Sequence, residues 1–191
     1  MDMEVISMTT LLMRIGEFDQ LALNALVARR RKAFYRLMSS LTHLGDDLVM
    51  IGAATGLLFL GGSNLRPAGL EAVFALAISL ISVQLLRRWV ARPRPQLPAG
   101  IGSLIASPDR FSFPSGHAAA TLSVALPIAS ALPGPAAVAV LALATTVGLS
   151  RIYLGVHYPG DVLMGWALAA LAAAAAPLAL VAFGLVDLGL L

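Results

Sequence analysis

Five apolar runs, at about residues 46–62, 67–90, 115–133, 135–151 and 161–186, dominate the chain and approach the length that a membrane-crossing helix needs. The hydrocarbon core of a bilayer takes about 20 apolar residues at helical rise. The expected fold is therefore all-α, a multi-pass transmembrane helix bundle of about five spans. The first run is the weakest, because Asp46 and Asp47 stand at its entrance. Composition agrees with the runs: 59% of the 191 residues are hydrophobic and 12% charged, far from the balance of a soluble domain. Gly61-Gly62-Ser63-Asn64 and Pro133-Gly134-Pro135 are turn sequences that make short connections on one side, while a long polar loop, 92–114, lies on the other.

Ahead of the first run, 18–27 and 34–41 carry apolar residues at helical spacing between charged flanks, which suits helices lying in the interface. The expected organisation is an N-terminal interfacial segment, 1–45, and one membrane-embedded domain, 46–191. The first 17 residues lack the basic-then-apolar order of a cleavable signal. Cysteine is absent, so thiol nucleophiles, cysteine-ligated zinc and disulfides are excluded.

Three polar segments sit at the ends of the apolar runs: Arg87-x6-Arg94-Pro95, Pro114-Ser115-Gly116-His117 and Ser150-Arg151-x5-His157-x3-Asp161. With five crossings, the exit of the second span, the entrance of the third, the exit of the fourth and the entrance of the fifth fall on one face. All three segments then share that face.

Their chemistry suits phosphoryl transfer. Arginine offers a planar fork of donors that matches phosphate oxygens and stays charged, so Arg87, Arg94 and Arg151 can hold a phosphoryl group. Pro114-Ser115-Gly116 opens an apolar helix, placing unpaired amides, the positive helix end and the Ser115 hydroxyl where an anion binds. Gly116 lets the backbone come close. Two histidines divide nucleophile and acid between them. Asp161 follows His157 by four residues, and a turn at Pro159-Gly160 can bring its carboxylate to the ring, where it would fix the tautomer. His157 is thus the better nucleophile candidate and His117 the general acid. Arg88, Arg92 and Arg110 read as topology or headgroup signals, with Arg88 and Arg92 also able to share the role of Arg87. His43, outside the three segments, reads as interfacial or structural, and Trp89 and Trp166 as interface anchors or packing residues.

Together the segments resemble the signature of the type 2 phosphatidic acid phosphatase superfamily, the lipid phosphate phosphatases: Lys-x6-Arg-Pro, Pro-Ser-Gly-His and Ser-Arg-x5-His-x3-Asp. Arg87 stands where that pattern has lysine. The resemblance implies a metal-independent phosphohydrolase without a cofactor, acting on a lipid phosphate or a polyprenyl phosphate or diphosphate through a phosphohistidine on His157. It gives His117 as acid, Asp161 as support, and Arg87, Arg94, Ser115, Gly116, Ser150 and Arg151 as the phosphate-binding set. A helical core related to soluble acid phosphatases and vanadium haloperoxidases comes with it. The alternatives are a phosphotransferase that passes the group to a second lipid or sugar, and a non-hydrolytic lipid-phosphate binder or transporter, which would need only the arginines. The expected partners are the phosphorylated substrate and the bilayer, with no nucleic acid. The expected location is a bacterial inner membrane. Arg29, Arg30, Arg31, Lys32 and Arg36 precede the first span, and by the positive-inside rule this cluster puts the active site on the cytoplasmic side.

Overall fold

The structure, a computed structural model, describes residues 8–98, 102–105 and 110–185. Its elements are α1 (Met8–Ala28), α2 (Lys32–Thr42), a single 3-10 turn (His43–Gly45), α3 (Asp47–Leu60), α4 (Gly62–Val90), α5 (Gly116–Ser130), α6 (Gly134–Tyr153) and α7 (Pro159–Ala182). No strand forms among the described residues. One isolated bridge, Pro93 to Phe111, closes the base of the α4–α5 loop.

The helix boundaries follow local chemistry. α4 carries Arg87 and Arg88 in its last turn, where cations favour the negative helix end, and Ala91 stops it in the left-handed region at φ 46°. α6 and α7 each place a proline in the first turn, where the missing amide costs no hydrogen bond. The Asp161 carboxylate accepts the Tyr158 amide at 2.9 Å, satisfying a group that the start of α7 would otherwise orphan.

α5 is the hub, packed against α4, α6 and α7, while α3 lies on α4. Small residues make this possible: Ala118, Ala119 and Ala120 are wholly buried, and backbones can approach where side chains stop at Cβ. At Gly148 the Trp166 ring lies so near that an added Cβ would sit 2.7 Å from it. Trp166 is therefore a packing residue between α6 and α7, whereas Trp89, 88% exposed at the end of α4, has the position of an interface anchor.

α4, α6 and α7 are each long and apolar enough to cross a membrane. α3 and α5 are shorter, 14 and 15 residues, or roughly 21–23 Å at helical rise against a core of about 30 Å. Three spans thus pass by length and composition, or four if the pair Ala33–Gly45 and Asp47–Leu60, bent by 58°, counts as one. The five expected runs differ from this because part of each short run goes into turns. Asp46 caps α3 in an extended conformation, and Leu132 and Pro133 leave α5 for the next turn.

Candidate active site

One end of the bundle gathers the three segments. The last turn of α4 brings Arg87, the following loop Arg94, the start of α5 Gly116 and His117, the last turn of α6 Arg151, and the α6–α7 connection His157. These six line a cavity of about 220 Å³ together with Asp46, Asp47, Leu80, Val83 and Gln84. Gly116 has a spatial reason to be glycine: a Cβ there would meet Arg87 Nη2 at 3.2 Å, so a larger residue would crowd the guanidinium. The amides of Gly116 and His117 open α5 and have no preceding-turn carbonyl, which leaves them suited to an anion.

Not every residue of the segments reaches the cavity. The Ser115 amide donates to the Asp161 carbonyl at 2.9 Å, and the Ser115 hydroxyl is buried outside the cavity lining. Ser150 donates its hydroxyl to the Val147 carbonyl at 2.6 Å, one turn back in its own helix, and does not line the cavity either. Asp161 is fully buried behind His157.

The His157 ring has two different sides. Arg94 Nη1 lies 3.2 Å from Nε2 and also donates to the Val156 carbonyl at 2.7 Å. A guanidinium only donates, so Nε2 accepts and the ring proton belongs on Nδ1. Nδ1 faces Asp161 Oδ2 at 3.5 Å, an ion-pair distance without hydrogen-bond alignment. The lone pair of Nε2 is then the one on the cavity side, where Arg94 holds it. Burial pushes the His157 imidazole down to about 4; contact with Asp161 opposes this, and the nearby charges of Arg151 and Arg94 add to it. His157 is accordingly neutral at physiological pH, as a nitrogen nucleophile must be.

Behind Asp161 lies a set of contacts that crosses the sequence. Arg92 Nη1 reaches Asp161 Oδ1 at 2.8 Å and Asp19 Oδ2 at 2.7 Å, and its guanidinium lies 3.9 Å from the Tyr158 ring centre. Asp19 also accepts the Gly160 amide at 2.7 Å. Arg92 is thus neither a headgroup signal nor a stand-in for Arg87: it pairs with the carboxylate that supports His157. Arg151 is held in turn by Thr42, whose hydroxyl accepts from Nη1 at 2.8 Å. Sequence reasoning missed Asp19 and Thr42, which lie far away in the chain and in no motif. Asp46 and Asp47 gave a usable signal, since two acids at the mouth of an apolar run are costly unless they have a function.

His117 faces the opposite way. Its Nε2 lies 3.1 Å from Asp46 Oδ1, and the second oxygen of Asp46 lies 3.1 Å from His43 Nδ1.

The sequence profile of the PAP2 superfamily matches residues 68–183. The chain belongs to that superfamily. It is 44% identical over 105 residues to decaprenylphosphoryl-5-phosphoribose phosphatase of Mycobacterium tuberculosis, an alignment covering 54% of this chain and 54% of that protein. The chain thus matches about half the length of the mycobacterial relative. Phosphatidylglycerophosphatase B of Bacillus subtilis is 30% identical over 166 residues, 78% of this chain and 77% of that one. Among solved structures, a transmembrane PAP2-type phosphatidylglycerolphosphate phosphatase from Bacillus subtilis superposes with a TM-score of 0.67 at 26% identity, covering 86% of this chain and 85% of that one. With its apolar helices and these membrane relatives, the chain is an integral membrane protein.

Proposed function

We propose that this PAP2 protein is a metal-independent phosphohydrolase that releases phosphate from a lipid phosphate or a polyprenyl phosphate or diphosphate. The observation that carries the reading is the convergence of His157, His117, Arg87, Arg94 and Arg151 on one cavity at the end of an apolar bundle. An arginine cage alone would suit a binder, but a neutral buried histidine with its lone pair turned toward the arginines adds a nucleophile.

In the reaction, His157 Nε2 attacks phosphorus and forms a P–N bond while the P–O bond to the lipid breaks. The departing oxygen takes the bond's electron pair and a proton from the His117 imidazolium. Water then attacks the phosphohistidine and gives a proton to His117 as the new P–O bond forms and the P–N bond breaks, its electron pair returning to His157 Nε2, and inorganic phosphate leaves. The three guanidiniums hold the equatorial oxygens throughout, supplying charge stabilisation where the transition state needs it. Asp161 keeps the His157 proton on Nδ1 and stabilises the ring as it becomes positive.

The same reading takes α3 and α5 as spans beside the three longer helices, five in all. Its support is direction: α3, α5 and α7 start at the cavity, and α4 and α6 end there. On this reading the division into an N-terminal segment, 1–45, and a membrane domain, 46–191, holds, with Asp19 of α1 and Thr42 of α2 as the segment's contributions to the site. The cluster from Arg29 to Arg36 favours a cytoplasmic, inner-membrane site. Phosphate release from short-chain lipid and prenyl phosphates, supplied to inside-out and right-side-out membrane vesicles with excess EDTA, tests these points together. Release is expected from inside-out vesicles alone. Binding without release would support a carrier, transfer of the phosphoryl group to a second lipid would support a transferase, and activity only in right-side-out vesicles would reverse the orientation.

A further inference from the structure

We propose that Asp46 is a positioning residue for the acid: through Nε2 it fixes the orientation and proton placement of His117 and favours its charged form against the nearby arginines. This rests on the phosphohydrolase reading above and assigns a role to a carboxylate that lies outside all three motif segments.

The placement is built by the chain. The 3-10 turn His43–Gly45 delivers Asp46 to the start of α5, and Gly45 allows the approach, since a Cβ there would meet His117 Cβ and Cδ2 at 3.0 Å. A carboxylate accepts and does not donate, so the 3.1 Å contact from Asp46 Oδ1 puts a proton on His117 Nε2. Nδ1 is then the nitrogen that works on the substrate: its proton goes to the leaving oxygen, and it takes one back from the attacking water.

The surrounding charge explains why such a group is needed. His117 shares its cavity with Arg87 from α4, Arg94 from the loop, Arg151 from the end of α6 and His157 from the α6–α7 connection, while Asp46 and Asp47 face it from the start of α3. Three guanidiniums that suit a phosphate also oppose a further positive charge on His117, yet an acid that is never protonated cannot act. Among the described residues Asp46 is the carboxylate with a hydrogen-bond contact to His117, so it supplies the opposing charge. His43 Nδ1, at 3.1 Å from the other oxygen, steadies the carboxylate from the solvent side, where His43 is 70% exposed. Lying at the cavity rim, Asp46 acts on the proton that reaches the leaving oxygen, and not on the phosphoryl group held by the arginines.

The test compares kcat of the full-length Asp46→Asn protein in detergent on decyl phosphate and on p-nitrophenyl phosphate, whose phenolate leaves without protonation. The expected result is a loss of about 10–100-fold on the alkyl ester and less than about 3-fold on the aryl ester, with little change in KM. Both rates come from one preparation, so a partly unfolded fraction does not alter their ratio. Asp46→Glu, which keeps the charge, should recover most of the alkyl rate. In a His117→Ala background Asp46→Asn should cost nothing further, because the two act as one unit. Equal losses on both esters, or a further loss in the His117→Ala background, would overturn the role of Asp46 while leaving the phosphohydrolase reading in place. No phosphate release from either ester by the wild-type protein would bring down both.

Discussion

The two cavity histidines each face one carboxylate, yet their surroundings are opposite. His157 is buried and Asp161 fully so; the pair is backed by Arg92 and Asp19, and nothing in it faces solvent except part of Arg92. His117 and Asp46 sit at the rim, with Asp46 46% exposed and His43 beyond it. The proton placement is opposite too: Nδ1–H with the Nε2 lone pair toward Arg94 on His157, and Nε2–H toward Asp46 on His117. A nucleophile needs to stay unprotonated, and burial among cations does that. An acid has to regain a proton each cycle, which favours a polar, partly wet position beside a carboxylate. The two rings thus differ in which nitrogen meets a carboxylate, Nδ1 on His157 and Nε2 on His117.

The largest test of this contrast removes each ring in turn. His157→Ala should lower phosphate release by at least about 10⁴-fold on alkyl and aryl esters alike, because no intermediate can form. His117→Ala should lose about 10²–10⁴-fold on an alkyl ester and far less on an aryl one. Equal losses for His117→Ala on both esters, read from steady-state release, would erase the distinction between the two sites.

Arg92→Ala probes the buried side. It removes the cation shared by the buried carboxylates of Asp161 and Asp19 and leaves them only amide hydrogen bonds and the His157 contact, a change that costs about 3–5 kcal/mol when one partner of a buried pair is removed. A fall in the midpoint of thermal unfolding in detergent, together with reduced kcat and a nearly unchanged KM, is expected. Full stability in that variant would mean that the Asp161 carboxylate does not depend on Arg92.

The smallest effect concerns pH. The folded His157 titrates at about 4 and the unfolded one near its ordinary 6.5, so the unfolded chain binds more protons between these values. Stability from this group is complete above about pH 6.5, declines as pH falls, and is lost by about pH 4, a change of about 3 kcal/mol. Unfolding midpoints between pH 7 and 4 should therefore fall more for the wild type than for His157→Gln. Parallel pH curves would show that burial does not hold His157 neutral.

Much of this was legible in the residues themselves. The five apolar runs correspond to α3 to α7 at nearly their observed positions, because a run of that length has few other ways to satisfy its backbone, while the amphipathic segment at 18–27 is only part of the longer α1. Arg87, Arg94, Gly116, His117, Arg151 and His157 could be named because their spacing is local, each group being fixed by one helix end. Asp161 was reachable for the same reason: at the third position of α7 its carboxylate both caps the helix and faces His157. The packing role of Trp166 was decided by Gly148 on a neighbouring helix, which no spacing rule records, whereas the Ser150 hydroxyl turns back onto the Val147 carbonyl of its own helix.

What the sequence by itself determined, then, is an all-helical membrane protein with a phosphate-suited set of residues at its helix ends, since hydropathy and short-range spacing are properties of contiguous chain. Only the tertiary structure decided what stands behind each histidine. Asp19 and Arg92 meet across 73 positions, Arg151 and Thr42 across 109, and His117 and Asp46 across 71. Such contacts depend on how helices pack against one another, and that packing sets which carboxylate meets which nitrogen of each ring.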